Sequence, residues 1–294
     1  MSYVSFSPDG TMIAADAATS RDDLKGGLTL WRFPEGTFLR RLPRYPSAIS
    51  PNWKYYATRE GIWSLETGKL ILSMSHERAV IVFSPDSRYI AEYPYDKRKR
   101  GGQIRIIEIP TGRLVSAFGR HLPGSLAFSP DGSTLAVGYW DAIALRDVIS
   151  GKQTGLISRF EAPQKAFTGM VNSLGFSRNG KLLVAGVDGD GMWVFEMTNH
   201  KTVRHFPSLW GTLSDPAFSP DGKLLAVGEY GEGTVWLIDT ATWKFVDHKR
   251  VSDMGCGSVD FSPDGHYLIT PSTGGLITWP YDRGGTVRVF EVVR

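Results

Sequence analysis

The chain has 294 residues, of which 41% are hydrophobic and 21% charged, and this composition excludes a disordered or collagen-like protein. Lysine and arginine number 33 against 30 acidic residues, so the net charge of +3 gives no strong electrostatic case for nucleic-acid binding. One cysteine, a start without the pattern of a signal peptide, and no apolar run of about 18 residues favour a cytoplasmic protein without a membrane span.

A short phrase recurs along the chain, in which an apolar or aromatic residue precedes Ser-Pro-Asp-Gly. Four copies are complete and three are weaker. In chain order the copies lie at residues 6–10, 49–53, 83–87, 128–132, 176–180, 218–222 and 261–265. The mean spacing is about 42 residues, which matches the period of a four-stranded propeller blade.

Each copy predicts a hairpin. An apolar segment such as residues 125–128 suits a buried strand, and Pro followed by Asp-Gly reverses the chain. A second apolar strand follows at residues 135–137, and a third strand of the type seen at residues 234–238 comes after a glycine-rich turn. A turn such as residues 150–152 then leads into a short fourth strand. The pattern therefore predicts an all-β chain of four-stranded antiparallel meanders.

These repeats resemble the WD-repeat β-propellers over nearly the whole chain, and the Phe-Ser-Pro-Asp-Gly phrase is similar to the divergent bacterial-type repeats. The resemblance implies a seven-bladed β-propeller, one domain over residues 1–294. Two family marks are missing: the Gly-His pair before the first strand, and the Trp-Asp pair at the end of the third. That second position reads Trp31-Arg32, Phe195-Glu196 or Ile238-Asp239.

The last blade allows two interpretations. If residues 276–279 form its third strand, residues 286–292 form the fourth. If residues 286–290 form the third strand, the fourth is missing. Residues 286–290 are the more similar to residues 192–195, so we favour a three-stranded last blade, whose open edge could accept a partner strand.

Residues capable of metal, acid–base or nucleophilic chemistry do not form a recognisable motif. The six histidines are scattered over the predicted blades, and we expect them to be solvated or structurally satisfied. Asp188-Gly189-Asp190-Gly191 could be a calcium loop but falls where a hairpin turn is required. Cys256 is expected to be a buried small residue rather than a nucleophile. We therefore predict no cofactor, no metal site and no catalytic residue.

The most distinctive polar segment is Lys97-Arg98-Lys99-Arg100, in an enlarged connection of the third blade. It is either a solvated loop or a docking site for an acidic protein surface, phosphate groups or nucleic acid. The resemblance places connections between second and third strands on the same face as those between blades. On that face the resemblance groups the basic segment with aromatic and basic residues typical of binding hot spots. The additional candidate residues are Tyr45, His76, Arg78, His121, Trp140, Lys165, Phe167, Trp210 and Tyr230.

The leading hypothesis is a non-catalytic protein-interaction scaffold that binds a partner protein or peptide, acidic in character, through this upper face. Nucleic acid and membrane are not expected partners. Two alternatives stay open at this point. One is a cofactor- or metal-dependent propeller enzyme with a site in the central channel, because fold alone does not decide function. The other is an accessory propeller module of a larger protein.

Overall fold

The structure is a computed structural model, and it describes residues 3–16, 27–43, 47–74, 78–95, 102–119, 121–158, 169–209, 211–251, 256–271 and 287–292. Within these residues, strands form seven antiparallel sheets in which consecutive strands are neighbours. The sheets are the blades of a seven-bladed β-propeller, as the repeat predicted, and we number them 1 to 7 in chain order. No described segment forms a helix that is long and apolar enough to cross a membrane.

Two compact units divide the chain. The first unit comprises residues 1–46 and 211–294 and contains blades 1, 6 and 7. Blade 1 consists of β1 (Val4–Phe6), β2 (Met12–Asp16), β3 (Gly27–Arg32) and β4 (Thr37–Pro43). Blade 6 consists of β21 (Ala217–Phe218), β22 (Leu224–Glu229), β23 (Thr234–Asp239) and β24 (Lys244–Arg250). Blade 7 consists of β25 (Asp260–Phe261), β26 (Tyr267–Pro271) and β27 (Val287–Glu291).

The second unit, residues 47–210, contains blades 2 to 5. Blade 2 consists of β5 (Ala48–Ile49), β6 (Tyr55–Thr58), β7 (Gly61–Ser64) and β8 (Leu70–Ser73). Blade 3 consists of β9 (Arg78–Phe83), β10 (Tyr89–Tyr95), β11 (Ile104–Glu108) and β12 (Leu114–Phe118). Blade 4 consists of β13 (Ser125–Phe128), β14 (Thr134–Tyr139), β15 (Ala142–Asp147) and β16 (Gln153–Ser158). Blade 5 consists of β17 (Val171–Phe176), β18 (Leu182–Val187), β19 (Gly191–Glu196) and β20 (Thr202–Phe206).

The prediction of a three-stranded last blade is confirmed for the described residues. Strand β27 pairs antiparallel with β26, and Val289 lies opposite Ile269. Residues 287–290 therefore occupy the place of a third strand. The competing candidate, residues 276–279, lies outside the described residues.

Apolar side chains are buried between neighbouring blades inside each unit. Leu145 and Ile157 of blade 4 pack in one cluster with Leu174 and Trp193 of blade 5. Comparable clusters join blades 2 and 3, blades 3 and 4, blades 6 and 7, and blades 7 and 1. Blades 3, 4 and 7 thus bury both faces against neighbours of their own unit, which one blade cannot achieve alone.

The recurring phrase folds into the same turn in all seven blades, here called the Ser-x-Asp turn. In blade 4 the Ser129 hydroxyl donates to Asp131 Oδ1 at 2.5 Å and accepts the Thr134 N–H at 3.0 Å. Asp131 Oδ1 also accepts the Ser133 N–H at 3.0 Å. The other turns repeat these bonds, and each of the seven serines is buried. In blades 2 and 5 an asparagine replaces the aspartate and its Oδ1 accepts the same bonds.

The glycine that ends the turn has a left-handed backbone, with φ near +70° at Gly132 and Gly222. A residue with a Cβ is strained in this region, whereas glycine is not. Two blades nevertheless carry another residue there: Trp53 has φ +54° and Ser87 has φ +59°. The conformation is therefore imposed by the turn and its hydrogen bonds, and glycine only lowers its cost.

A β-bulge interrupts the pairing of the third and fourth strands in blades 1 to 6. In blade 4 the register shifts between Leu145 and Arg146. Blades 1, 2, 3, 5 and 6 have the same register shift at the equivalent place. In all six blades the shift comes just before the position at which typical WD repeats have the Trp of the Trp-Asp pair. Where an aspartate occupies the next position it caps the turn that follows: Asp147 Oδ1 accepts the Ser150 N–H at 2.7 Å, and Asp239 does the same for Thr242.

We expect Gly222→Ala to destabilise the fold by about 1–2 kcal/mol, because the left-handed backbone at residue 222 is strained once a Cβ is present. A Cβ at this position would meet no atom within 4 Å, so the change measures backbone strain without a clash. Guanidinium unfolding of the purified wild type and variant gives the difference in their free energies of unfolding. Gly231→Ala is the matched control, since its Cβ also enters open space but its backbone is not left-handed. Equal costs for the two variants would contradict the interpretation.

Acid should weaken the Ser-x-Asp turn. The Ser129 hydroxyl, followed by the Ser133 N–H, lowers the pKa of Asp131 in the folded chain. A carboxylate with a lowered folded pKa contributes stability that is complete above its unfolded pKa of about 3.9 and is lost as the pH falls through the folded pKa. Asp131→Asn should retain the turn, as asparagine does in blades 2 and 5, but should lack this pH-dependent contribution.

The test compares the free energies of unfolding of wild type and Asp131→Asn from about pH 6 to about pH 3, the range in which this carboxylate begins to protonate. We expect the difference between the two proteins to shrink in acid. The reverse change, Asn179→Asp, should introduce an additional acid-sensitive contribution. A difference that is constant across the range would show that Asp131 has the same pKa in both states.

Candidate functional site: the upper ends of the blades

Connections from second to third strands, and connections that lead into a blade, lie at the same end of each described blade. In blade 4 the Gly124 N–H donates to Gly138 O at 2.9 Å, which joins the entry segment to the end of the second strand. In blade 6 the Tyr230 N–H donates to Thr212 O at 2.9 Å. We call this the upper end of a blade, and the end with the Ser-x-Asp turn the lower end.

At the upper end of blade 4, Trp140 and Asp141 form a two-residue hairpin loop between β14 and β15, closed by the pairing of Tyr139 with Ala142. Asp141 has φ +61°, a conformation that aspartate tolerates better than most residues. The side chain of Trp140 is 67% exposed. A large aromatic ring is therefore presented to solvent from a tight hairpin.

This hairpin is attached to the segment that enters blade 5. The Asp141 N–H donates to Gly169 O at 3.0 Å, and Asp141 Oδ1 accepts the Gly169 N–H at 2.9 Å. Trp140 forms an isolated antiparallel bridge with Met170, whose carbonyl also accepts the Asp188 N–H at 3.0 Å. The backbone under the exposed Trp140 is thus held by two neighbouring blades.

Tyr139 and His121 lie beside the hairpin. The His121 ring meets the Tyr139 ring edge-on at 6.5 Å. Burial raises the pKa of the Tyr139 phenol, so it stays protonated at neutral pH. A Cβ at residue 119 would lie 2.9 Å from the Tyr139 hydroxyl, which indicates close packing of this ring. His121 and Trp140 are both exposed and flank a partly buried tyrosine.

Carboxylates dominate the charge of the described upper ends of blades 4 and 5. Asp188 accepts a hydrogen bond from the Asn172 amide. The Asp190 carboxylate lies 3.6 Å from His205 Nε2, and the His205 ring stacks on Trp193 at 3.8 Å. The sequence 188–191 forms the hairpin turn predicted for it, with Asp190 N–H donating to Val187 O at 3.1 Å. Among the described residues, no group of three His, Cys, Asp or Glu side chains could hold a metal ion.

The structure describes the side chains of three of the predicted site residues: His121, Trp140 and Tyr230. The first two lie together on blade 4. Tyr230, 44% exposed, lies in the corresponding turn of blade 6. Arg78 begins β9 opposite Tyr95, at the upper end of blade 3. The other predicted residues lie outside the described part of the chain: Tyr45, His76, Lys97, Arg98, Lys99, Arg100, Lys165, Phe167 and Trp210.

Cys256 is fully buried, with its Sγ 3.0 Å from Thr270 Oγ1. Burial raises the pKa of this thiol to about 11, so almost no thiolate forms at neutral pH. The expectation that Cys256 is a buried residue is confirmed.

Sequence comparison finds the WD40 family (WD domain, G-beta repeat) at residues 112–144 and 158–195, which cover parts of blades 3 to 5. Structural comparison finds the β-propeller domain of Cps50 (Swd1) from Myceliophteria thermophila, with a TM-score of 0.78, 14% identity, and coverage of 99% of this chain and 95% of that chain. These similarities support a WD-repeat β-propeller.

Two curated proteins show the range of the sequence relatives of this propeller. Periodic tryptophan protein 2 of Saccharomyces cerevisiae is 24% identical over 263 residues, 74% of this chain and 27% of that protein. Human serine-threonine kinase receptor-associated protein is 28% identical over 120 residues, 41% of this chain and 32% of that protein. The matched regions therefore span no more than about a third of either relative.

Removal of the Asp141 side chain should loosen the hairpin from the segment at Gly169. Asp141→Gly relieves any left-handed strain but deletes the acceptor for the Gly169 N–H, so this amide should exchange with deuterium about tenfold faster. Asp141→Asn retains an Oδ1 acceptor and should exchange at nearly the wild-type rate. Native-state hydrogen exchange, measured by NMR, gives the exchange rate of the Gly169 amide in wild type and in both variants. Unchanged exchange in Asp141→Gly would mean that the bond does not hold the two segments together.

Proposed function

We propose that this propeller is a non-catalytic protein-interaction scaffold that binds a partner protein or peptide through the upper ends of its blades. The observation that carries the proposal is Trp140, whose ring is 67% exposed although its backbone is held by Met170 and, through Asp141, by Gly169. A large side chain on a fixed backbone loses little freedom on binding. Tryptophan is also among the residues that most often dominate binding energy.

Two further observations support the proposal. Tyr230 repeats the arrangement in blade 6, where its N–H is fixed by Thr212 O and its ring is partly exposed. One relative is named serine-threonine kinase receptor-associated protein, and this name describes association with another protein. Loops carried on a rigid scaffold are a common location for binding residues.

We also propose that the chain is a divergent WD-repeat propeller of the Phe-Ser-Pro-Asp-Gly type. We further propose that it is located in the cytoplasm.

The acidic part of the partner belongs near blade 3. Lys97, Arg98, Lys99 and Arg100 connect the second and third strands of that blade, and their charge would attract carboxylates. The described upper ends of blades 4 and 5 carry Asp141, Asp188 and Asp190 and would repel them. We therefore propose a partner whose apolar or aromatic side chain packs on Trp140 while its acidic residues contact the basic segment.

Trp140→Ala should abolish or strongly weaken partner capture from a native lysate, because it deletes the exposed anchor. For the captured partner, purified and measured by calorimetry, we expect an affinity loss of roughly thirtyfold, the size of a hot-spot effect. A variant with Lys97, Arg98, Lys99 and Arg100 changed to Glu should lose acidic partners in the same experiment.

Trp243→Gly provides the control. Trp243 lies between β23 and β24, away from the upper end, and its φ of +53° suits glycine. Its replacement removes an indole without new backbone strain and should leave capture unchanged. A partner that binds wild type and folded Trp140→Ala equally would rule out the blade 4 hairpin as the working surface.

A further inference from the structure

A cleft of about 640 Å³ lies between the lower ends of blades 4 and 5, which both belong to the second unit. The hairpin loop of Trp140 lies at the opposite, upper end of blade 4. Pro130 and Thr154 line it from blade 4, and Phe176, Arg178 and His200 from blade 5. Its volume is in the range of sites that hold small ligands or a few amino-acid residues.

Blade 5 departs from the repeat at three positions, and all three line this cleft. Arg178 stands where the other six Ser-x-Asp turns have proline, and Asn179 where five have aspartate. His200 stands at the turn between third and fourth strands, where blades 1 to 4 have a glycine with φ near +70°. Nothing in the repeat requires these changes to face one place, since residues 178 and 200 belong to different turns.

The His200 ring is carried by a left-handed turn. The φ of His200 is +59°, and blades 1 to 4 adopt the same region here with glycine and blade 6 with Trp243 at φ +53°, so the turn itself imposes this conformation. The fourth strand of blade 4 makes room for the ring: an added Cβ at Gly155 would lie 2.7 Å from His200 Cε1. In blades 2 and 3 the equivalent strand position, opposite the same third-strand residue, holds Leu72 and Ser116 instead.

The polar groups of the cleft favour an anion. Arg178 is exposed and forms no ion pair with the described residues. Asn179 uses its Oδ1 to accept from Ser177 Oγ and Lys181 N–H, so its amide nitrogen is left to donate. His200 provides a ring N–H in either charge state.

The one carboxylate in the lining is already hydrogen-bonded. Asp131 Oδ1 accepts from Ser129 Oγ and from the Ser133 N–H, and Oδ2 lies 2.9 Å from Ser133 Oγ. An aspartate at position 179 would have brought a second carboxylate into the cleft, and the asparagine avoids it. Beside these groups, Leu145, Phe176 and Met197 provide an apolar wall.

We propose that this cleft is a second binding site, which takes an acidic peptide segment. The carboxylate of an aspartate or glutamate binds Arg178, the Asn179 amide and His200, and an adjacent apolar side chain packs on Phe176 and Met197. Charge-assisted hydrogen bonds to a guanidinium are among the stronger polar contacts in proteins. The site is independent of the surface around Trp140.

The test uses a variant in which blade 5 regains the repeat: Arg178→Pro, Asn179→Asp and His200→Gly. These residues occur at the same positions of other blades, so the triple variant should fold, as circular dichroism and guanidinium unfolding will show. A displayed library of random peptides is selected on the wild-type chain and counter-selected on the variant. We expect the enriched peptides to share a carboxylate next to an apolar residue, and a synthetic peptide from this set to bind the variant at least about tenfold more weakly.

Three results would overturn the proposal: no enrichment, equal binding to the triple variant, or equal binding when the peptide's carboxylate is changed to the amide. A fourth such result is binding of a phosphorylated synthetic peptide without binding of the carboxylate peptide, because the proposed ligand is a carboxylate. If the triple variant is less stable than wild type, Arg178→Gln removes only the charge at an exposed position and repeats the comparison. Trp140→Ala should bind the peptide normally, so failure of this site and failure of the upper surface are distinguishable.

Discussion

A buried serine hydroxyl is the constraint on which the other features of each blade depend. Ser129 and its six equivalents donate to a side-chain oxygen two residues later and accept an N–H five residues later. A buried hydroxyl without partners would cost free energy, and here both of its roles are satisfied within one turn. The turn sets the pairing of the first and second strands, and in blade 4 this pairing places the upper hairpin where Asp141 meets Gly169.

The fold could be predicted largely from the sequence because this turn leaves a clear trace. Ser-Pro-Asp-Gly needs a specific residue at each position, and it recurs at a blade's period. The similarity of residues 286–290 to 192–195 was enough to identify the third strand of blade 7. The β-bulges between the third and fourth strands could not be predicted from the sequence, because residues as different as Ile107, Arg146 and Phe195 follow the register shift.

The candidate sites were less predictable, for physical reasons. Trp140 was identified by its type and its place between two strands, but its attachment to Gly169 and Met170 is a contact between blades. The cleft between blades 4 and 5 was not predicted. Residues 176–180 were a weaker copy of the repeat, and His200 was one of six scattered histidines. Only the packing of two sheets shows that Arg178 and His200 line the same space.

The hydrogen bonds that the serine hydroxyl and the Asp or Asn Oδ1 form in each Ser-x-Asp turn are completed within about six residues of one chain segment. Between turns, the Asn52 N–H donates to Ser87 Oγ. Substitutions in one turn therefore do not require compensating substitutions in the other six. Over evolutionary time, one blade of such a repeat protein can diverge while the other copies keep their original form. Blade 5 shows the result: its turn retains Ser177 and Gly180 around an altered pair of residues. A duplicated gene segment of this kind can thus acquire a new recognition surface by local drift, without the fold being rebuilt.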